Sequence, residues 1–132
     1  MNISAKITSG CDRQETVVQT NGTAKSLVLP TKPSGFGSAV NGGELLLLAL
    51  ATCYCNDIYR EAGKKNIPVS GVEVECTGTF GAEGEPGDNF CYQVKITSEA
   101  SAEAIEELIR ATDRLAEVHN TLRKGVSVRL VR

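Results

Sequence analysis

The chain's 132 residues are enough for one modest hydrophobic core and few for two, so a single domain over 1–132 is expected. Its 14 basic and 16 acidic side chains leave a net charge of -2 with no lysine or arginine block, which excludes an electrostatic footprint for nucleic acid. No stretch reaches the roughly 20 apolar residues that a membrane span needs, and residues 1–6 lack the features of a secretory leader, so a cytoplasmic chain with reduced thiols is expected.

Ile3, Ala5 and Ile7 alternate with polar residues, Ser9-Gly10 reads as a turn, and the β-branched run 16–20 precedes Asn21-Gly22, a strong hairpin signal. Residues 24–29 pair back, which predicts three antiparallel strands. A loop follows over 30–38, where two prolines and two glycines prevent regular structure.

Residues 41–66 are the most apolar part of the chain. The run 45–51 holds only good helix formers and no turn residue, and it predicts a core helix covered on every side, with Arg60 to Lys65 as a polar tail. Some of Leu45 to Leu50 would lack cover in a small monomer, which favours a dimer.

The five cysteines, Cys11, Cys53, Cys55, Cys76 and Cys91, are odd in number and show no Cys-x-x-Cys spacing. Neither a disulfide framework nor a metal site is indicated, and most of them read as small core hydrophobes. Cys53 and Cys55 point about 200° apart on a helix, so at most one faces a given site.

Residues 69–80 alternate as a half-buried strand, 81–88 form a glycine-rich loop, and 90–97 return as the partner strand. Ser101 is a plausible N-cap for one amphipathic helix carrying Ile105, Leu108, Ile109, Thr112, Leu115, Ala116 and His119. Residues 126–131 read as a closing strand. Two helices and about six hairpin-connected strands give an α+β fold with antiparallel sheets around a long buried central helix.

The stretch Asn41-Gly42-Gly43-Glu44-Leu45-Leu46 with Ala51-Thr52-Cys53, then 67–75, then Asn120-Thr121-Leu122-Arg123-Lys124-Gly125-Val126, resembles the OsmC/Ohr family of thiol-dependent hydroperoxide reductases. The resemblance runs along nearly the whole chain in the same order. It implies an intertwined homodimer, no cofactor, and a cysteine on the first long helix that attacks a hydroperoxide. A second cysteine then forms a disulfide that an external thiol reduces.

Cys53 matches the family's reactive cysteine. The family's Asn-Pro-Glu becomes Asn41-Gly42-Gly43, with the acid one place on at Glu44. In its Cys-Pro-x-Ser-Asn-Thr-Leu-Arg-Lys-Gly motif, Ala116 replaces the second cysteine, Glu117 the proline and His119 the serine. The resemblance also implies an arginine in the first hairpin that keeps the thiol ionised, for which Arg13 is the candidate. Cys53, Arg13, Glu44 and His119 are therefore the candidate catalytic residues, although a helix-end acid suffices for Glu44, a helix-end histidine for His119 and a solvated turn for Arg123-Lys124. With no second cysteine, the substrate is a hydroperoxide reduced with help from an external thiol. The alternative is a catalytically degenerate dimer that binds an apolar or electrophilic small molecule.

Overall fold

A computed structural model describes residues 1–132 as two compact units, Met1–Leu45 and Leu46–Arg132. The fold is α+β with antiparallel sheets and three helices, as expected. No helix is long and apolar enough to cross a membrane.

In the first unit β1 (Ile3–Gly10), β2 (Arg13–Thr20) and β3 (Thr23–Ser26) form an antiparallel sheet in that order. The β2–β3 turn is Asn21-Gly22, both at positive φ (47° and 86°), the backbone of a primed hairpin turn that this residue pair favours. The first turn falls on Cys11-Asp12 rather than Ser9-Gly10, because Gly10 still pairs with Arg13 in the ladder. Asp12 Oδ1 accepts from Gly35 N at 3.2 Å and Asp12 N donates to Gly35 O at 2.9 Å, which pins the loop after β3 to this turn. Strand β3 stops at Ser26, short of the predicted Leu29.

Helix α1 spans Gly42–Lys64. Asn41 Oδ1 accepts from Glu44 N at 2.8 Å while Glu44 Oε1 accepts from Asn41 N at 3.0 Å, a reciprocal capping box. The prediction of a helix covered on every side differs from what the single chain provides. Its buried stripe is Leu50, Tyr54, Asp57, Ile58, Glu61 and Ala62, at three- and four-residue spacing, and Leu48 on the other side is 57 % exposed. The supposed polar tail also contributes to this stripe through Glu61.

In the second unit β4 (Gly71–Thr79) and β5 (Asp88–Thr97) form the expected hairpin. Val72, Val74, Tyr92, Val94 and Ile96 project alternately from it onto the core of Tyr54, Ile58, Ala62, Leu108 and Ala116. The register shifts between Thr77 and Thr79, where a Cβ on Gly78 would come within 2.3 Å of the Phe90 ring. Glycine there lets the ring lie on the strand backbone.

The single second helix predicted from periodicity is two, α2 (Ala102–Leu115) and α3 (Glu117–Lys124), broken at Ala116 with ψ 108°. Neither glycine nor proline marks the break. Its cause lies in side chains further on: Asn120 Nδ2 donates to Arg114 O at 3.0 Å and Arg123 Nη1 to Asp113 O at 3.0 Å. These bonds satisfy carbonyls that would otherwise call for another helical turn. The predicted closing strand is also absent. Residues 126–131 have no neighbouring strand in the chain to accept their ladder, and Val128, Leu130 and Val131 are largely exposed.

Ser101 caps α2 as expected, its side chain accepting from Ala104 N at 3.1 Å. Leu108 is fully buried at the centre of the helix–hairpin core. Leu108→Ala is expected to lower unfolding free energy by about 2–5 kcal/mol, and Ser101→Ala by about 1 kcal/mol, in denaturant titrations. A loss for Leu108→Ala no larger than for Ser101→Ala would contradict this core.

Candidate functional site

Cys53 lies one helical turn before Asp57 on α1, half-buried. Its thiol donates to Asp57 Oδ2 at 3.6 Å and reaches Glu117 Oε2, in the first turn of α3, at 3.9 Å. Arg60 closes the group: Nη1 is 2.9 Å from Asp57 Oδ1 and 3.3 Å from Glu117 Oε1, and Nε is 2.9 Å from Glu61 Oε1. Lys64 Nζ adds a second cation at 3.0 Å from Glu61. Asp57 and Glu61 are each only 5 % exposed, so these cations are what make their burial tolerable.

The electrostatics follow from this arrangement. Burial pushes the Cys53 thiol up; the Val118 backbone opposes that, and the adjoining Asp57 and Glu117 carboxylates add to it. Between the two acids, Asp57 is raised, first by burial and then by its contact with the Glu117 carboxylate. Glu117 is lowered, first by its own backbone N–H at the start of α3. Asp57 is therefore the more basic of the two acids, and Glu117 the one more firmly ionised.

The ligand atoms of Cys53, Asp57 and Glu117 lie within 4.8 Å of one another, a spacing that could hold a metal ion. Arg60 already supplies positive charge to both carboxylates, so the arrangement describes a caged thiol more closely than a metal centre.

His119 lies elsewhere in this unit. It is 4 % exposed, and its ring packs on Tyr92 (centroids 4.6 Å apart) and Tyr54 (5.6 Å). Neither ring nitrogen has a hydrogen-bond partner, an omission that typically costs about 1–3 kcal/mol per buried group. Burial, and then Arg123, lower its pKa, which keeps the imidazole neutral at pH 7. It lines a pocket of about 110 Å³ with Leu50, Phe90, Tyr92, Leu122 and Arg123, and Cys53 is not among the lining residues. Arg123, expected in a solvated turn, instead ion-pairs with Asp113 at 2.5 Å, and Tyr92 Oη donates to the same carboxylate. Burial raises the Tyr92 phenol, and it pushes Tyr54, whose Oη donates to Ile109 O at 2.8 Å, up to about 12.

Of the four residues picked from the sequence, Cys53 alone is in the thiol cage. Glu44 is occupied in the helix cap, and nine residues of rise, about 13 Å, separate it from Cys53 along α1. Arg13 opens β2 in the first unit, exposed and with no ion pair. The residues that do surround the thiol, Asp57, Arg60 and Glu117, were missed. Asp57 was detectable as i+4 from Cys53, and Arg60 as i+3 from Asp57. Glu117 was not, because the break at Ala116 positions it.

With this geometry established, comparison with known proteins identifies the class. The OsmC-like protein family model matches residues 35–131, and the chain belongs to that family. Solved structures share the fold at low identity. An OsmC-like protein from Mycoplasma pneumoniae is 22 % identical with a TM-score of 0.63, over 92 % of this chain and 86 % of the other. An organic hydroperoxide resistance protein OsmC from Legionella pneumophila is 22 % identical (TM-score 0.55, 93 % and 90 % covered). OhrB of Bacillus subtilis, an organic hydroperoxide resistance protein, is 16 % identical (TM-score 0.55, 92 % of each chain). No curated protein matches the chain in sequence. The family model thus shows an OsmC-like protein, and the solved structures show that its fold is shared.

Alkylation of Cys53 by iodoacetamide, read by mass spectrometry of its peptide, is expected to rise with pH to an inflection above that of an ordinary thiol. Glu117→Gln removes one of the charges that raise the thiol and is expected to move the inflection down. An inflection at or below the ordinary value in the parent protein would rule out the caged thiol.

Proposed function

We propose that the protein reduces organic hydroperoxides at Cys53 and relies on an external thiol to complete the cycle. The observation that carries this reading is the Cys53 thiol donating to Asp57, within a family whose members include hydroperoxide-resistance proteins. A neutral thiol is a poor nucleophile, and this one is held neutral by burial and negative charge. Asp57 resolves the difficulty if it takes the thiol proton as sulfur attacks. Sulfur bonds to the terminal peroxide oxygen, the O–O bond breaks, and the leaving alkoxide collects that proton from Asp57 to depart as the alcohol.

Cys53 is left as a sulfenic acid. Ala116 supplies no thiol at the position of the family's second cysteine, so an external thiol attacks the sulfenic sulfur and water leaves. A second thiol then reduces the mixed disulfide and restores Cys53. One hydroperoxide and two thiols yield an alcohol, water and a disulfide. Neither Glu44 nor His119 is needed in this scheme.

Turnover of tert-butyl hydroperoxide with dithiothreitol is expected to fall to background in Cys53→Ser; equal rates in the two proteins would end the peroxidase reading. Asp57→Asn discriminates further. As a proton acceptor Asp57 is worth roughly 10²-fold, so its loss slows turnover. Were Asp57 only a charge that restrains the thiol, its removal would free the thiolate and speed turnover.

A homodimer is the second part of the proposal. Leu48 and the segment with Val128, Leu130 and Val131 leave apolar side chains uncovered, and OsmC/Ohr proteins are typically homodimers. Light scattering at low micromolar concentration is expected to give twice the chain mass, and a stable monomer would remove the idea.

A further inference from the structure

The sulfur of Cys53 has a buried side and an open one. The Asp57 side chain, on the buried side, is only 8 % exposed, whereas that of Glu117 is 66 % exposed and its Oε2 stands 3.9 Å from Sγ. We propose that Glu117 selects the external thiol, favouring a small aminothiol whose ammonium pairs with Oε2 while its sulfur attacks Cys53. This selection rests on the reading of Cys53 as a peroxidatic thiol that an outside thiol must regenerate.

The neighbours of Glu117 leave its charge uncompensated. Three carboxylates, Asp57, Glu61 and Glu117, share two cations, Arg60 and Lys64, so the cluster keeps an excess of negative charge. Arg60 Nη1 approaches Glu117 through Oε1, at 3.3 Å, and Oε2 is the oxygen turned toward the sulfur. The first turn of α3 supplies the backbone N–H that holds the Glu117 carboxyl below the usual carboxylate range, so it is an anion at pH 7.

An ammonium two carbons from a sulfur matches this spacing. Once that sulfur bonds to Sγ, the ammonium can reach an oxygen 3.9 Å from Sγ, whereas a carboxylate in the same place would meet like charge. A neutral thiol meets neither. In the first step the aminothiol sulfur bonds to the sulfenic sulfur, the S–O bond breaks, and the thiol proton leaves with the hydroxide as water. A second aminothiol attacks the outer sulfur of the mixed disulfide, which releases the aminothiol disulfide and returns Cys53 as a thiol. Each cycle oxidises two aminothiols and reduces one sulfenic acid.

Exchange at a preformed disulfide tests this selection without any hydroperoxide. The full-length protein is labelled with 2,2′-dithiodipyridine and treated with cysteamine, 2-mercaptoethanol or 3-mercaptopropionate, and loss of label from the Cys53 peptide is followed by mass spectrometry. Cys91 is the internal reference that cancels the thiols' own reactivities, because it is exposed and its sulfur lies 3.2 Å from Thr77 Oγ1. One unit charge about 4 Å from another in water changes a rate roughly fivefold, so the cysteamine to 3-mercaptopropionate ratio at Cys53 is expected to exceed that at Cys91 about tenfold at low salt. On the same scale 2-mercaptoethanol falls between them. The excess is expected to vanish in Glu117→Gln, where a ratio of rates cancels any general change at Cys53. It is also expected to shrink at about 1 M salt, where the screening length is about 3 Å. A Cys53 ratio no larger than that of Cys91, or an excess that survives in Glu117→Gln, would overturn the selection. If Glu117→Gln does not fold, the Cys91 comparison and the salt dependence of the parent protein decide. Failure of the peroxidase reading shows separately, as equal tert-butyl hydroperoxide turnover in the parent and Cys53→Ser, because the exchange consumes no hydroperoxide.

Discussion

Asp57 and Glu61 lie on the same face of α1 as Tyr54, Ile58 and Ala62, so the helix can pack on the β4–β5 hairpin only if both carboxylates are compensated. Arg60 does this for both, and because it also reaches Glu117 it ties the start of α3 to α1. Its side chain is 40 % exposed, so these pairs add little stability of their own; they remove a penalty. The thiol of Cys53 takes its character from this compensation. It faces two carboxylates whose positive partner lies on their far side, an arrangement that favours S–H over S⁻.

The break at Ala116 has equal weight. It ends α2 where Asn120 and Arg123 can reach back to its last carbonyls, and it starts α3 at Glu117. Glu117 then gains its own backbone N–H and stays ionised beside the thiol, while His119 enters the aromatic cluster of Tyr54 and Tyr92. A helix running on through residue 116 would present neither group in this way. The surroundings of Cys53 and of His119 therefore both depend on one irregular backbone angle, at a residue that is itself fully buried.

Much of the fold was legible because its signals are local. Asn21-Gly22, the alternation in β4 and β5 and the Ser101 cap each act within a few residues, and each appears where expected. The misreadings share a cause: the deciding partner is distant in the chain or not in it. Periodicity ran α2 and α3 together because Asn120 and Arg123 act backwards over six and ten residues. The closing strand needs a neighbour that this chain does not provide. At the site, Cys53 was found through resemblance and Asp57 follows from helical spacing, whereas Glu117 became relevant only once the break was known.

A cysteine without a built-in resolving partner has to survive as a sulfenic acid until an external thiol arrives, and the charge around Cys53 bears on that wait. A further peroxide is attacked by the sulfenate anion, so whatever disfavours a negative charge on this sulfur slows over-oxidation as well as the first step. The buried Asp57 and the ionised Glu117 act on both anions alike. In the proposed mechanism the penalty on the first step is relieved by Asp57 accepting the thiol proton as sulfur attacks. Afterwards Asp57 has returned that proton to the alcohol, and the sulfenic acid again faces two carboxylates. On this reading, slow nucleophilic chemistry and protection of the oxidised intermediate have the same source, which makes Ala116 compatible with a working thiol at Cys53.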